Sequence, residues 1–270
     1  MPTNFSFTAT TDLHGVKACG QSIGAHIAAK LESFGSDERT LTDELCDMLC
    51  IWLKSHPRAS PAIQIKLQKS TPNEESQNGA DLRLVIQSPE GIKDCLFQAK
   101  VLDPQTGKLR CATATGFAKL EDQLSKARAT CGDLAFLLVY VPSQHLDGSL
   151  YRYGTYEQHF CRKSKHGLPS ALGATVIPAS SLLTTGGTWK NPTDPVPHVN
   201  GKFVGGIAFW QVFLELLVCR RGTWDRQRSE LLLSKDDRTL NFLQLVVRAK
   251  SEIPWGQLRG SSSELLGPEN

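Results

Sequence analysis

The sequence predicts an α/β protein, a mixed sheet flanked by helices with a C-terminal α-rich extension. Three observations carry that expectation. Apolar residues recur at spacings of three and four between Thr40 and Leu53, alternate strictly from Ile63 to Gln68, and run almost unbroken from Asp133 to Val141. These are the signatures of an amphipathic helix, a half-buried strand and a strand covered on both faces. Their order along the chain, helix, three strands, helix, strand, builds a layered architecture.

Composition narrows the class. A chain of 270 residues that is 40% hydrophobic buries enough apolar surface to order itself, which excludes disorder as the dominant state. Thirty Lys plus Arg against twenty-seven Asp plus Glu leave a net charge of +3. That surplus is too small to announce nucleic acid, so such a partner has to be argued from local sites. The eight cysteines form no CxxC pair, and the N-terminus MPTNFSFTATTDLHG has no basic region followed by an apolar run. Reduced thiols, a cytoplasmic location and no signal peptide are therefore expected. The most apolar stretch, Gly205–Cys219, is 15 residues long and carries Gln211 and Glu215, whereas a bilayer takes about 20. A buried helix in a soluble protein is expected, with no membrane partner.

The elements follow in order. A helix is expected over Leu41–Ser55, capped by Thr40 and Asp43 and ended by His56-Pro57. Ile63, Ile65 and Leu67 mark the first strand, and the polar STPNEESQNG after it reads as a loop. Leu82, Leu84 and Ile86 mark a second strand that begins at Asp81, and the turn Ser88-Pro-Glu-Gly91 joins it to a third over Cys95–Leu102, an antiparallel hairpin. Phe117, Leu120, Leu124 and Ala127 place one apolar face on a helix over Phe117–Ala129, and Asp133–Val141 is the central strand. Beyond Pro142, Tyr151–Phe160 and Ala174–Ile177 read as strands, Ser180–Leu183 as a short helix, and 206–219 and Leu240–Val247 as further helices. Residues 184–201 and the tail from Gly260 are punctuated by Gly and Pro. The expected organisation is an N-terminal extension (1–36), a core (37–183) and a helical extension with a flexible tail (184–270).

Within that core, Asp81 opens one strand, and Gln98 and Lys100 lie on the next with only Ala99 between them, so the latter two share a face. A tight hairpin brings that face to Asp81. An Asp followed by Gln-x-Lys in the order helix, three strands, helix, strand resembles the PD-(D/E)xK, or restriction-endonuclease-like, nucleases, in their Mrr-like QxK variant. The resemblance covers Thr40 to Pro142. It implies a restriction-endonuclease-like core and a Mg²⁺ (or Mn²⁺) site for phosphodiester hydrolysis. Asp81 would be the carboxylate ligand, Gln98 a neutral ligand where the family more often has Glu, and the Ala99 carbonyl a third oxygen. A hard divalent cation accepts such a set and keeps several waters. Lys100 would orient the attacking water and offset charge building on the phosphate.

Gln for Glu removes one negative charge, and Glu44, in register with Leu41, Met48 and Ile51 on the first helix, is the expected compensating carboxylate. Asp43 and Asp47 fall on the other side of that helix. Gln123 matches the place where several branches keep a glutamine at the site or on the substrate backbone. The same residues also admit a purely structural reading, with Asp81 as a loop-end cap, Gln98 and Lys100 on the wet face of an edge strand, and Glu44 as a charge at a helix rim.

Other clusters are weighed beside this one. Cys46 and Cys50, one turn apart, read as buried hydrophobes, because no second pair completes a metal site. His159, Cys161 and His166, interleaved with Arg162, Lys163 and Lys165, read as a solvated basic loop or a phosphate contact. Arg220, Arg221, Arg226 and Arg228 surround Trp224. They either grip a nucleic-acid backbone with the indole stacked on a base, or cap a helix C-terminus and pair with Glu215, Asp225 and Glu230. No Walker, dinucleotide or GxSxG motif is present.

The expected function is a Mg²⁺-dependent nuclease acting on nucleic acid, DNA first; within it the role of a bacterial anti-phage defence effector, which stand-alone enzymes of this class often have, is left open. A second copy of the chain and a defence-system protein are the partners left open. The alternative is a catalytically inactive nucleic-acid-binding or scaffold module of the same fold.

Overall fold

The computed structural model describes residues 3–7, 9–55, 63–88, 91–145, 173–193, 195–196, 198–199, 202–203, 206–217, 222–223, 225 and 242–249. In chain order these form β1 (Thr3–Phe7), α1 (Ala9–Phe34), α2 (Glu38–Ser55), β2 (Ile63–Lys69), α3 (Pro72–Asn78), β3 (Leu82–Ser88), β4 (Gly91–Val101) and α4 (Ala114–Cys131). Then come β5 (Ala135–Tyr140), β6 (Ala174–Pro178), α5 (Ala179–Leu182), β7 (His198–Val199), β8 (Lys202–Phe203), β9 (Ile207–Ala208), α6 (Phe209–Leu217) and β10 (Phe242–Ala249). Among the described residues, eight strands make one mixed sheet in the order β1-β10-β2-β3-β4-β5-β6-β9, and β7 and β8 pair separately. β1 runs parallel to β10 and β4 parallel to β5, while the other neighbours are antiparallel. The protein is α/β with helices packed on a mixed sheet, and no helix among the described residues is long and apolar enough to cross a membrane.

The central strands are the ones the sequence makes most apolar. All six residues of β5 are buried, as expected of a strand with a neighbour on each edge and a layer on each face. Phe97 of β4 stacks on Phe136 of β5 at 5.0 Å between ring centroids, and Phe209 of α6 tilts against Phe97 at 5.7 Å. From the N-terminal side, α1 buries Ile23, Ile27, Ala28 and Leu31 in the same core. Gly20 lies so close to the Trp210 side chain that no Cβ would fit, which lets α1 and α6 approach closely. The sheet thus takes strands from all three segments set apart in the sequence.

Several elements differ from expectation. α2 begins at Glu38, three residues earlier than expected, because Asp37 accepts the Thr40 N–H at 2.8 Å as its cap. That hydrogen bond, first among the causes, holds the Asp37 carboxyl below its usual value. The segment expected as a loop contains α3, whose Thr71 and Glu74 form a reciprocal capping box with Pro72 in the first turn. Of Leu240–Val247, expected as a helix, the described residues from Phe242 on belong to strand β10, inserted between β1 and β2. Its short apolar run with paired Val246 and Val247 fits either period, and the strand registers available on both sides decide it. The helix expected over 206–219 starts at Phe209, after β9. Tyr151–Phe160 lies outside the described residues.

Candidate functional site

The site forms where one strand outruns its neighbour. β3 and β4 pair from Ser88↔Gly91 to Leu82↔Phe97, and β4 then continues to Val101 with β5 alone. On the side β3 has vacated, the backbone of Ala99 needs partners from outside the ladder. Asp81, the residue just before β3, supplies one. Its own N–H donates to the Phe97 carbonyl at 3.0 Å and its carbonyl accepts the Ser70 N–H at 2.8 Å, which fixes its backbone. Its Oδ2 then accepts the Ala99 N–H at 2.7 Å and a hydrogen bond from Gln98 Nε2.

Gln98 and Lys100 complete the group. Gln98 is fully buried, and its Nε2 also donates to the Ala99 carbonyl at 3.3 Å. Its Oε1 is buried without a hydrogen-bond partner, which costs free energy in the resting arrangement. Lys100 Nζ donates to the same Ala99 carbonyl at 2.6 Å and to Glu38 Oε1 at 2.9 Å. Asp81, Gln98 and Lys100, expected together from the sequence, all hydrogen-bond to the backbone of Ala99.

Glu44 is not with them. Its Oε2 lies 2.8 Å from His26 Nε2 and its Oε1 pairs with Lys30, both on α1. The buried stripe of α2 is Leu41, Thr42, Leu45 and Leu49, centred on Leu45. At about 100° per residue that turns Glu44 roughly 100° or more away from its centre and puts Glu38 on it. Glu38, which the sequence reading passed over, is the acidic residue that α2 brings to Lys100. The signal was present in Asp37-x-x-Thr40 and in the spacing 38, 41, 42, 45, 49 once Thr42 is counted as a core residue. Asp43, on the opposite flank, pairs with Lys69.

Glu75 was missed as well, because α3 was read as a loop. Gln123 of α4 is buried and donates to Glu75 Oε1 at 2.9 Å. Gly79, at φ 71°, packs so tightly on the Gln123 backbone that no Cβ would fit, which locks α3 onto α4. Gln123 therefore stands at the edge of the site, one carboxylate removed from Asp81. Arg220, Arg221, Trp224 and Arg226 lie outside the described residues, as do Arg228 and the basic loop around His159, Cys161 and His166.

The electrostatics follow from this crowding. Burial lifts the Asp81 carboxyl from 3.8 to about 6; the Lys100 ammonium opposes the rise, Glu38 adds to it, the Ala99 N–H opposes it and Glu75 adds to it. Burial also raises Glu38, against the pull of Lys100. A cleft of about 440 Å³ opens over these acids, lined by Asp37, Glu38, Thr42, Glu75 and Asp81 and by Arg39, Lys69 and Ser70. It pairs an acidic floor with a cationic wall.

A family model matches residues 20–187, more than half of the chain. The chain belongs to the DUF6615 family, a family of unknown function. No curated protein matches it. Every residue of the site in this DUF6615 member, from Glu38 to Gln123, falls inside the matched span, whereas β1, β9, α6 and β10 fall outside it.

The donor set can be tested against a hard divalent cation. Among the described residues no three His, Cys, Asp or Glu side chains form a metal-ligating group, so an ion would rest on Asp81 and neutral oxygens. Those oxygens are the Ala99 carbonyl and the Gln98 amide, whose unpartnered Oε1 is an acceptor without a donor. As the side chain stands, Gln98 turns its Nε2 rather than its Oε1 toward Asp81 Oδ2 and the Ala99 carbonyl, and Lys100 Nζ donates to that same carbonyl. One carboxylate beside neutral oxygens is a donor set of the kind a hard divalent cation accepts, once the Gln98 amide turns over.

Proposed function

We propose that this protein is a Mg²⁺- or Mn²⁺-dependent nuclease of the PD-(D/E)xK type that hydrolyses phosphodiester bonds, in DNA first. One observation carries the reading: Asp81, Gln98, the Ala99 backbone and Lys100 meet at the overhanging end of β4, and the buried Gln98 Oε1 lacks a donor. Apart from the short α3 set between β2 and β3, the order α2, β2, β3, β4, α4, β5, with β4 and β5 parallel, supports the restriction-endonuclease-like topology.

Asp81, the Ala99 carbonyl and Gln98 would hold the ion, which when bound supplies Lewis acidity to a phosphate oxygen and a more acidic water. Lys100, a compact ammonium on a short leash between Glu38 and the Ala99 carbonyl, orients the attacking water and balances charge that builds on the phosphate oxygens. Glu38 keeps that ammonium at the cleft floor. Arg39 and Lys69, which line the cleft, would offer cations to the phosphates flanking the scissile one, Lys69 by leaving its pair with Asp43.

The test is cleavage of plasmid, linear duplex and single-stranded DNA, and of RNA, with Mg²⁺ or Mn²⁺ and with EDTA. Cleavage that EDTA abolishes, and that Lys100→Ala abolishes with unchanged melting, supports the reading. Near wild-type turnover in Lys100→Ala refutes the role of Lys100. One observation favours a second reading, a silent binding or scaffold module of the same fold: Lys100 is already engaged by Glu38 and the Ala99 carbonyl, as a purely structural lysine would be. Nucleic-acid binding without cleavage under any divalent ion would establish it.

A further inference from the structure

We propose that Tyr140 and Thr42 form a buried positioning relay that sets where Glu38 holds the Lys100 ammonium. Its catalytic consequence rests on the nuclease reading of the same site. Tyr140 ends β5 and is fully buried, and its hydroxyl donates to Thr42 Oγ1 at 2.9 Å. Thr42 in turn donates to the Glu38 carbonyl at 2.8 Å, and Glu38 Oε1 accepts from Lys100 Nζ at 2.9 Å. The path leaves the sheet at β5, passes through the first turn of α2 and returns to the sheet at β4.

Helix first turns fray, because their N–H groups have no partners inside the helix. Glu38 is the first residue of α2, so its side chain is only as well placed as that turn. The relay fastens the turn to a central strand by a hydroxyl that burial keeps protonated, its phenol standing well above the ordinary value. Packing alone does not call for this pair. The rest of the buried stripe is leucine, and a Phe and a Val of similar shape would fill the same space without two hydroxyls to satisfy. The hydroxyls add direction: they fix the Glu38 backbone, and with it the arc its carboxylate sweeps. Lys100, with a side chain only 13% exposed, is then held by one carboxylate and by the Ala99 carbonyl. Tyr140 and Thr42 are positioning residues and do not touch the reacting atoms.

The experiment uses the full chain and reads Lys100 directly. Reductive methylation by formaldehyde, followed peptide by peptide by mass spectrometry, reports how often the Lys100 amine is released. Tyr140→Phe and Thr42→Val should each raise its labelling rate roughly fivefold, the factor expected for one lost hydrogen bond. Labelling of Lys126 on α4 should stay unchanged. Thr42→Ser, which keeps the hydroxyl, should restore the wild-type rate. Tyr140→Phe added to Glu38→Gln should raise labelling no further than Glu38→Gln alone, since both act through one contact.

In the cleavage assay the same two variants should lower kcat several-fold with KM for DNA unchanged. Wild-type labelling of Lys100 in both variants overturns the relay. So does an equal rise at Lys126, or failure of Thr42→Ser to rescue, because each marks general loosening of the core. Should Tyr140→Phe not fold, Thr42→Val reads the same link. The expected labelling pattern in a protein that cleaves nothing supports the relay and overturns the nuclease reading.

Discussion

Replacing Asp81 by asparagine should make the protein more stable above pH 6 while removing its affinity for a divalent ion. The Asp81 carboxyl titrates at about 6 when folded against 3.8 for the ordinary group. A carboxyl raised by folding binds its proton more tightly in the folded chain. Wild-type stability from this group is therefore full below about pH 3.8, falls as pH rises to about 6, and is flat above. The rise corresponds to about 3 kcal/mol at roughly 1.4 kcal/mol per pH unit. Asparagine carries no charge and escapes that cost, less about 1 kcal/mol for weaker hydrogen bonds to the Ala99 N–H and to Gln98. The asparagine variant should thus exceed wild type by about 2 kcal/mol at pH 8 and not at all at pH 4. Urea unfolding of both proteins across pH 4–8 measures the difference. Mn²⁺ should then stabilise wild type and not the variant, since an ion that binds only the folded state adds to its stability. A difference that does not change with pH, or a variant less stable than wild type at pH 8, would refute the account of Asp81 as a desolvated acid.

Three further outcomes test the neighbouring residues. Gln98→Glu puts a second carboxylate beside Asp81 in a fully buried position, so it should lower stability without metal and tighten Mn²⁺ binding by calorimetry; unchanged affinity would remove Gln98 from the ligand set. Glu44→Gln should leave Mn²⁺ affinity and cleavage alone and cost no more than about 1 kcal/mol of stability, as a surface ion pair with α1 does, whereas Glu38→Gln should cut kcat; equal effects would return the site to Glu44. Arg39→Ala and Lys69→Ala, in an inactive Asp81→Asn background, should each reduce the slope of log affinity for duplex DNA against log salt by about one, read by fluorescence anisotropy; unchanged slopes would place the DNA elsewhere.

The sequence disclosed the middle of this molecule better than its rims. β3, β4, α4 and β5 have clear periods, and the Asp81, Gln98 and Lys100 grouping follows from a hairpin whose register the alternation fixes. Phasing α2 on Leu41, Met48 and Ile51 points to Glu44, whereas adding Thr42 to the core residues points to Glu38. A threonine whose hydroxyl is claimed by its own helix and by Tyr140 behaves as core, and that claim depends on a residue 98 positions away. α3 carries a readable Thr71-Pro-x-Glu74 start, yet it has no buried residue of its own, so apolar periodicity was silent there. For β10, a run of eight residues supports either period, and only its pairing with β1 and β2 chooses.

The overhang of β4 beyond β3 divides the strand into a part that holds the sheet and a part that carries Gln98 and Lys100. From Gly91 to Phe97 the strand answers to two neighbours, and a slip there would turn every side chain over. From Gln98 to Val101 it answers to β5 alone, on the opposite edge from Asp81. Positions 98 and 100 can therefore exchange their side chains without disturbing the register of the hairpin. Loss of Lys100 would take from Glu38 its partner at the cleft and leave the pairing of β3 with β4 as it is.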